Sequence, residues 1–182
     1  VTVPEGSNVF QLADILSLTL EINREQFLER AKNTKLIASL GLDVPSLEGY
    51  LFPDTYLLSK GESPDSIIAM MVNRFLAVYE EVVAWRDTNK KVFQPSLSQH
   101  QIVTLASIVE KEAGIAEERP LIAGVFYNRL QKKMPLQADP TVIYGLKKFD
   151  EPLTKKDLKV QTGYNTYVKK GLPEGPISNP GR

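Results

Sequence analysis

Helix-start signals recur along the first half of the chain, and each stands directly ahead of apolar residues at helical spacing. Ser7 or Asn8 caps a first predicted helix, because either side chain can accept a bond from an otherwise unpaired backbone N–H. Asn23, with Gln26 three residues later, predicts a second helix. Ser63 is followed by proline, which suits the first helical turn, and together they predict a long third helix.

Short β pieces are predicted at two places. Residues 1–4 alternate as a strand does, and residues 45–60 combine prolines with aromatic residues, which favours an ordered loop with strand pieces. We therefore predict an α+β fold class. A small α/β unit at residues 1–45 is expected to pack on a mostly helical part at residues 46–182.

A second group of helices is predicted after Pro95, which ends the connector behind the long helix. Ser98 with Gln101 forms a capping-box pattern, and the helix that it starts is predicted to stop at Gly114. Residues 117–132 predict another helix, because acidic groups lie at its start and basic groups at its end. Beyond it the sequence is rich in turn residues, which predicts long loops with one short helix capped by Thr154.

The charge balance and the absence of cysteine exclude several classes of function. The 22 basic and 22 acidic residues cancel, so the broad positive field that holds nucleic acid is not expected. Without cysteine there is no disulfide framework or thiolate chemistry. No nucleotide-binding glycine pattern occurs, and His100 is the single histidine, so we expect neither a cofactor nor a metal site.

Glu110 and Glu112 lie near the predicted end of the helix that starts after Ser98. At about 100° of rotation per residue they fall on opposite shoulders of an apolar stripe, so both can be half-buried. A carboxyl group in apolar surroundings has a raised pKa, as a general acid at neutral pH requires. The alternative is that both are ordinary charges at a helix edge. The predicted stripe is Ile102, Leu105, Ala106 and Val109, with Thr104, Ser107 and Lys111 facing away.

Two late loops concentrate amide, carboxylate and phenol groups. Aromatic faces and planar amides suit sugar rings, which have apolar C–H faces and hydroxyl groups at the rim. The alternative is that the aromatic residues are core and the polar groups hold turns together, since Asp139-Pro140 is a common turn opener. The residues concerned are Gln137, Asp139, Thr141, Tyr144, Tyr164, Asn165 and Tyr167.

Five segments resemble one family when taken in order: VTVPEGSNVFQLADIL, LEGYLFPDTY, LASIVEKE, RLQKKMPLQADPTVIYG and YNTYVKKGLPEGPISNPG. The chain is similar to the endolytic murein transglycosylases, the YceG-like family. The resemblance implies a lytic-transglycosylase-like catalytic part, and a LysM-like unit at residues 1–45. Two positions depart from the family pattern. Where the family has GLPPGPI, this chain has Glu174 in place of the second proline, and it has Gly163 directly before YNTY.

The resemblance also implies a cellular setting. Such a protein is bacterial and is anchored by one N-terminal membrane helix, with its catalytic domain on the periplasmic or extracellular side. The chain has no apolar run near the ~20 residues of a spanning helix, and we expect the anchor and a closing C-terminal segment of the catalytic domain to lie outside it. The implied partners are peptidoglycan glycan strands and peptidoglycan synthases, and no nucleic acid.

The implied reaction breaks the β-1,4 bond between N-acetylmuramic acid and N-acetylglucosamine without water and leaves 1,6-anhydro ends. One carboxyl group can serve as its acid and then its base. The resemblance assigns that role to Glu112, with Glu110 as a supporting or alternative group. The groove lining that it implies is Glu48, Gln137, Asp139, Tyr144, Tyr164, Asn165 and Tyr167. Two other functions stay open: a peptidoglycan-binding module without catalysis, and a hydrolytic muramidase that uses Glu112 with Asp139.

Overall fold

The computed structural model describes residues 1–89 and 96–182, so the connector end predicted at Pro95 lies outside the described residues. About half of the chain is helical, which confirms the expected helical character. In the described ranges β structure is limited to two isolated antiparallel bridges, Thr2 with Thr55 and Pro135 with Lys170. The α-helices are α1 Val9–Leu20, α2 Arg24–Arg30, α3 Thr34–Ser39, α4 Pro64–Thr88, α5 Gln99–Glu112, α6 Arg119–Gln131 and α7 Asp139–Leu146.

The helix starts predicted in the first half are confirmed. Asn8 is the N-cap of α1, and its side chain accepts a bond from the N–H of Gln11 at 2.9 Å. Asn23 accepts from the N–H of Gln26 at 2.8 Å. Ser63 caps α4 in the same way, with proline in the first turn. These caps are local interactions, which is why a sequence pattern is enough to predict them.

The contacts divide the chain into two compact units, and the first is Val1–Ser98 together with Asn179–Arg182. The predicted unit of residues 1–45 lies wholly inside it. Arg30 of α2 and Asp65 of α4 form an ion pair at 2.5 Å. The buried face of α4 ends before its last turns, since Val82 is 41% and Trp85 57% exposed. The core is built from apolar side chains of α1, α2 and α4: Leu12, Leu16, Phe27, Ile67, Ile68 and Met71.

The second unit is Gln99–Ser178. In it α5 packs against both α6 and α7. Short 3-10 helices precede α6, at Ala116–Glu118, and follow α7, at Asp157–Lys159. The buried core of this unit is Ile108, Val109, Phe126, Leu136, Ala138 and Ile177.

The buried face of α5 differs from the predicted stripe. Thr104 and Ser107 were expected to face away, yet they are 1% and 0% exposed. The reason is a hydrogen-bonded connection: the Ser107 hydroxyl accepts from the N–H of Ile177 at 3.0 Å, and its carbonyl accepts from the hydroxyl of Ser178 at 3.2 Å. Polar side chains are tolerated inside when each has a partner, and apolar periodicity does not reveal such partners.

The segment predicted as a turn-rich loop after residue 134 contains the helix α7. Asp139 and Pro140 begin it, because an acidic residue and a proline both suit a first helical turn. The short helix expected near Thr154 is a 3-10 helix instead. Thr154 does bind at its start: its N–H donates to the carboxylate of Asp157 at 2.8 Å, and its hydroxyl accepts from the N–H of Asp157 at 3.3 Å. No described helix is both long and apolar enough to cross a bilayer.

Candidate active site

The two glutamates at the end of α5 have different surroundings. Glu110 is largely buried, with 11% of its side chain exposed, and its carboxylate binds the guanidinium of Arg119 from α6 at 2.8 Å. Its charge is therefore engaged in an ion pair. This is the ordinary structural role that the sequence left open for both glutamates.

Glu112 is the last residue of α5 and is exposed at the helix end. Desolvation of its carboxyl group, and then the negative charge of Asp139, raise its pKa above the ordinary value of 4.5. The C-terminal end of a helix carries partial negative charge, which disfavours a carboxylate in the same direction. Glu112 thus combines access to a ligand with a tendency to keep its proton, although it is more exposed than the half-buried position predicted.

Asp139, from the first turn of α7, is the charged group that acts on Glu112. Its carboxylate accepts a short hydrogen bond, 2.5 Å, from the phenol of Tyr167. That bond, desolvation and the charges of Asp139 and Glu112 together raise the pKa of Tyr167 to about 12, so the phenol stays a donor at neutral pH. The N-terminal end of a helix favours a negative charge, and a donated hydrogen bond stabilises one further. The structure therefore brings together Glu112, Asp139 and Tyr167.

A buried ladder of hydrogen bonds fixes the start of α7 against the loop that carries Tyr167. The hydroxyl groups of Thr141 and Thr166 lie 2.8 Å apart, and both residues are fully buried. The N–H of Ala138 donates to the Thr166 hydroxyl at 3.1 Å, and the N–H of Gln137 donates to the Thr166 carbonyl at 3.1 Å. Thr166 was missed by sequence reasoning, since its partners lie far away along the chain.

Asn165 stabilises the backbone of that loop, and its side chain is fully buried. Its amide group donates to the carbonyls of Val160 at 2.8 Å and Leu158 at 3.2 Å. Its side-chain oxygen accepts from the N–H of Tyr167 at 2.9 Å. Asn165 thus fixes the backbone that presents Tyr167, and its own polar atoms are used inside the protein.

Tyr144 of α7 and Tyr164 of the loop form an aromatic pair. Their ring centroids are 4.8 Å apart and the rings are tilted by 54°. Both are partly buried against the core of the second unit, so each leaves part of its ring surface accessible. Gly145 permits this approach, because a Cβ atom there would lie 2.7 Å from the hydroxyl of Thr162 and 3.0 Å from the Cβ of Tyr164.

The other two predicted groove residues have separate surroundings. Gln137 is exposed directly before α7 and has a φ of 54°, an unusual left-handed conformation for a residue with a side chain. Glu48 belongs to the first unit and is 2% exposed. Its carboxylate accepts from the N–H of Val9 at 3.0 and 3.1 Å and from the side-chain amide of Asn179 at 3.3 Å. Glu48 therefore binds the N-terminal end of α1, as a carboxylate is expected to do.

The sequence profile of the YceG-like family matches residues 1–182. The chain belongs to the YceG-like family. This agrees with the resemblance carried by the five sequence segments. Within the described residues, no group of three acidic or histidine side chains is arranged as a metal site.

Three similar proteins extend the comparison. A protein of Bacillus subtilis named endolytic murein transglycosylase is 35% identical, over 100% of this chain and 53% of its own length. One of Streptococcus pneumoniae R6 with the same name is 32% identical, over 99% of this chain and 36% of its own length. A crystal structure of a putative yceG-like protein from Listeria monocytogenes superposes with a TM-score of 0.84 at 36% identity, over 99% of this chain and 62% of that one. The chain thus spans about half, or less, of the curated relatives it matches.

The two departures from the YceG-like pattern are adjacent in space. The N–H of Glu174 donates to the carbonyl of Gly163 at 3.2 Å. A Cβ atom on Gly163 would lie only 1.9 Å from the carboxyl carbon of Glu174. The glycine therefore leaves the space that the glutamate side chain occupies, which gives a physical reason for finding the two together.

Proposed function

We propose that this chain is part of an endolytic peptidoglycan lytic transglycosylase, with Glu112 as its general acid and base. The proposal rests on the positions of two carboxyl groups, one at the C-terminal end of a helix and the other at the N-terminal end of the next but one. Glu112 terminates α5, where a negative charge is disfavoured, and Asp139 begins α7, where it is favoured. A carboxyl group whose pKa is raised, as that of Glu112 is by desolvation and by the charge of Asp139, is suited to act as a general acid. Glu112 is then the group that holds the proton.

The proposed reaction uses the Glu112 carboxyl group twice, first as an acid and then as a base. The Glu112 carboxyl group protonates the glycosidic oxygen between N-acetylmuramic acid and N-acetylglucosamine, and the bond from C1 to that oxygen breaks. The resulting Glu112 carboxylate takes the proton of the muramyl 6-hydroxyl, whose oxygen bonds to C1 and closes the 1,6-anhydro ring. The carboxyl group is regenerated and no water is consumed.

The nucleophile belongs to the substrate, so one catalytic carboxyl group is sufficient. An intramolecular attack of this kind can reach an effective molarity of roughly 10⁵–10⁸ M when the groups are well oriented. The contribution required of the protein is then to supply the proton and to hold the sugar ring. In this proposal Tyr144 and Tyr164 offer ring surface to the glycan, since sugars present apolar C–H faces. Gln137 and Asp139 line the groove, while Asn165 supports the backbone of the loop that carries Tyr167.

The proposed setting is the one that the resemblance to the endolytic murein transglycosylases implies. We place the chain in a bacterial protein held in the cell membrane by one N-terminal helix, with residues 1–182 on the periplasmic or extracellular side. Peptidoglycan strands are its substrate, and peptidoglycan synthases are its proposed partners. Residues 1–45 are proposed as a separate LysM-like α/β unit, and residues 46–182 as the catalytic domain of an α+β protein.

Hydrolysis is the second candidate, and it is favoured by the position of Asp139 beside Glu112. In a muramidase the Asp139 carboxylate would activate a water molecule or attack C1 itself. The two reactions leave different ends: anhydro-muramic acid after transglycosylation, and a reducing muramic acid, heavier by one water, after hydrolysis.

Mass spectrometry of glycan strands treated with the full-length protein separates these candidates. Anhydro ends support the proposal, and reducing ends alone replace it with hydrolysis. If no cleaved product forms but the strands still bind the protein, the chain is a binding module. Binding that persists after Glu112→Gln, with no product from either protein, would identify that third case.

A further inference from the structure

We propose that Tyr167 is a positioning residue, whose hydroxyl group holds the Asp139 carboxylate in the place from which it acts on Glu112. This inference rests on the proposed function and refines it. Tyr167 would not touch the reacting atoms. It would affect the reaction only by fixing the position of Asp139, whose charge acts on Glu112.

The geometry supports a fixed contact between the phenol and the carboxylate. The hydroxyl of Tyr167 donates to Asp139 at 2.5 Å, although the two residues lie 28 positions apart in the chain. Both ends of this bond are anchored. Asp139 is the first residue of α7, and the N–H of Tyr167 donates to the side-chain oxygen of Asn165 at 2.9 Å. The hydroxyl groups of Thr141 and Thr166, which lie 2.8 Å apart, join α7 to the loop that carries Tyr167.

The charged and titratable groups to consider here lie on three helices of the second unit, α5, α6 and α7. On α5, Lys111 is a close neighbour in sequence, and Glu110 is already paired with Arg119 of α6. Arg129 of α6 donates to the carbonyl of Leu136 and exerts an opposing effect on Tyr167. Desolvation is the larger cause of the raised pKa of Glu112, and the charge of Asp139 from α7 is the second.

The direction of the expected effect follows from Coulomb attraction and repulsion. A carboxylate held near Glu112 disfavours a second negative charge there, so Glu112 keeps its proton to a higher pH. Without the phenol, the Asp139 side chain can rotate toward solvent, where screening weakens the interaction. Tyr167→Phe should therefore lower the pKa of Glu112, and Asp139→Asn should lower it at least as far.

The test is a carboxyl ¹³C NMR titration of Glu112 in this chain, with the resonance assigned by its loss in Glu112→Gln. We expect the midpoint to move to lower pH in Tyr167→Phe and in Asp139→Asn. In the double variant it should move no further than in Asp139→Asn alone, because the tyrosine acts only through the aspartate. Tyr127→Phe is the matched control. It removes a phenol that accepts a bond from Gln131 on α6, and it should leave the midpoint unchanged.

Three results would overturn the inference: an unchanged midpoint in Tyr167→Phe, a midpoint at higher pH, or additive shifts in the double variant. If Tyr167→Phe does not fold, the contact between Tyr167 and Asp139 is tested through the pKa of Tyr167 instead. Asp139→Asn should then lower the pKa of Tyr167 from about 12, because the carboxylate bond is the largest cause of its elevation. Ultraviolet titration of the tyrosines in wild type and in Asp139→Asn measures this, and an unchanged tyrosine titration rejects the link.

An activity profile then connects the contact to the reaction. Because the acid must be protonated, kcat/KM should fall as the pH rises through the pKa of Glu112. In Tyr167→Phe this fall should begin at lower pH. The NMR result does not depend on catalysis. A shifted midpoint with no role of Glu112 in activity would therefore reject the proposed function and leave the contact intact.

Discussion

The raised pKa of Glu112 has a cost for the stability of the fold. This pKa is raised by desolvation and by Asp139, so the native protein resists the ionised form that the unfolded chain accepts readily. Sites that hold a destabilised group are common in enzymes, where stability and activity oppose each other. The neighbouring Glu110 shows the contrast, since its ion pair with Arg119 satisfies its charge.

Glu112→Gln should accordingly raise the melting temperature at neutral and alkaline pH. The unfolded carboxyl group ionises near its ordinary pKa of 4.5 and the native one at higher pH. The stability lost by the wild type therefore grows as the pH rises from the unfolded pKa through the native one. The amide carries no charge and avoids this loss.

Thermal denaturation of both proteins across a pH series measures the effect. The two melting temperatures should converge at about pH 4 and below, where both side chains are neutral. A melting temperature of the glutamine variant that falls further below that of the wild type as the pH rises would show that the fold stabilises the Glu112 carboxylate, and would contradict the raised pKa.

The packing of α7 against the loop that follows it depends on one small residue, Gly145. Gly145 lies where a side chain would meet Thr162 at 2.7 Å and Tyr164 at 3.0 Å. With a side chain at this position, α7 could not lie as close to the loop that carries Tyr164 and Tyr167. Glycine is unfavourable within a helix, so its presence here is explained by this close approach.

Gly145→Ala should destabilise the protein by about 1–3 kcal/mol, because the added methyl group overpacks the contact. Gly124→Ala is a matched control on α6, since nothing lies within 4 Å of a Cβ atom there. It should stabilise the protein by roughly 0.5–1 kcal/mol through helix propensity. Urea denaturation of the two variants measures both signs. Stabilisation by both would show that α7 and the loop are not in close contact.

How much of these elements the sequence predicts depends on the range of the interactions. Asn8 and Ser63 bind N–H groups three residues away, and their helices were predicted correctly. The buried face of α5 was not, because the partner of Ser107 is Ile177, 70 residues further along. The helix α7 was taken for a loop because Asp-Pro begins turns as well as helices. Glu112 could be proposed from family resemblance, whereas its contact environment required the folded chain.

At the scale of the whole molecule, the chain returns to the first unit at its end. Asn179 is fully buried there. Its side-chain oxygen accepts from the N–H groups of Gly49 at 2.9 Å and Leu51 at 3.0 Å. Its amide group donates to the carbonyl of Ser7 at 2.9 Å and to the carboxylate of Glu48. One side chain thus joins three separate segments of the first unit.

Asn179→Ala should cost at least about 2 kcal/mol of unfolding free energy, because it leaves several buried donors and acceptors without partners. Asn73→Ala is the control, since Asn73 lies on the exposed side of α4, and surface changes usually stay within about 0.5 kcal/mol. Chemical denaturation of both variants provides the comparison. Equal, small effects would show that the Asn179 bonds contribute little to the fold.

The most direct measurement of the central claim is the rate at which anhydro-muramic ends form on glycan strands, in the full-length protein and in its Glu112→Gln variant. Removing a general acid and base typically costs 10²–10⁴-fold. We predict a fall of at least about 100-fold, in a variant whose melting curve shows that it is folded. Anhydro ends that form at an undiminished rate would contradict the assignment of Glu112 as the acid.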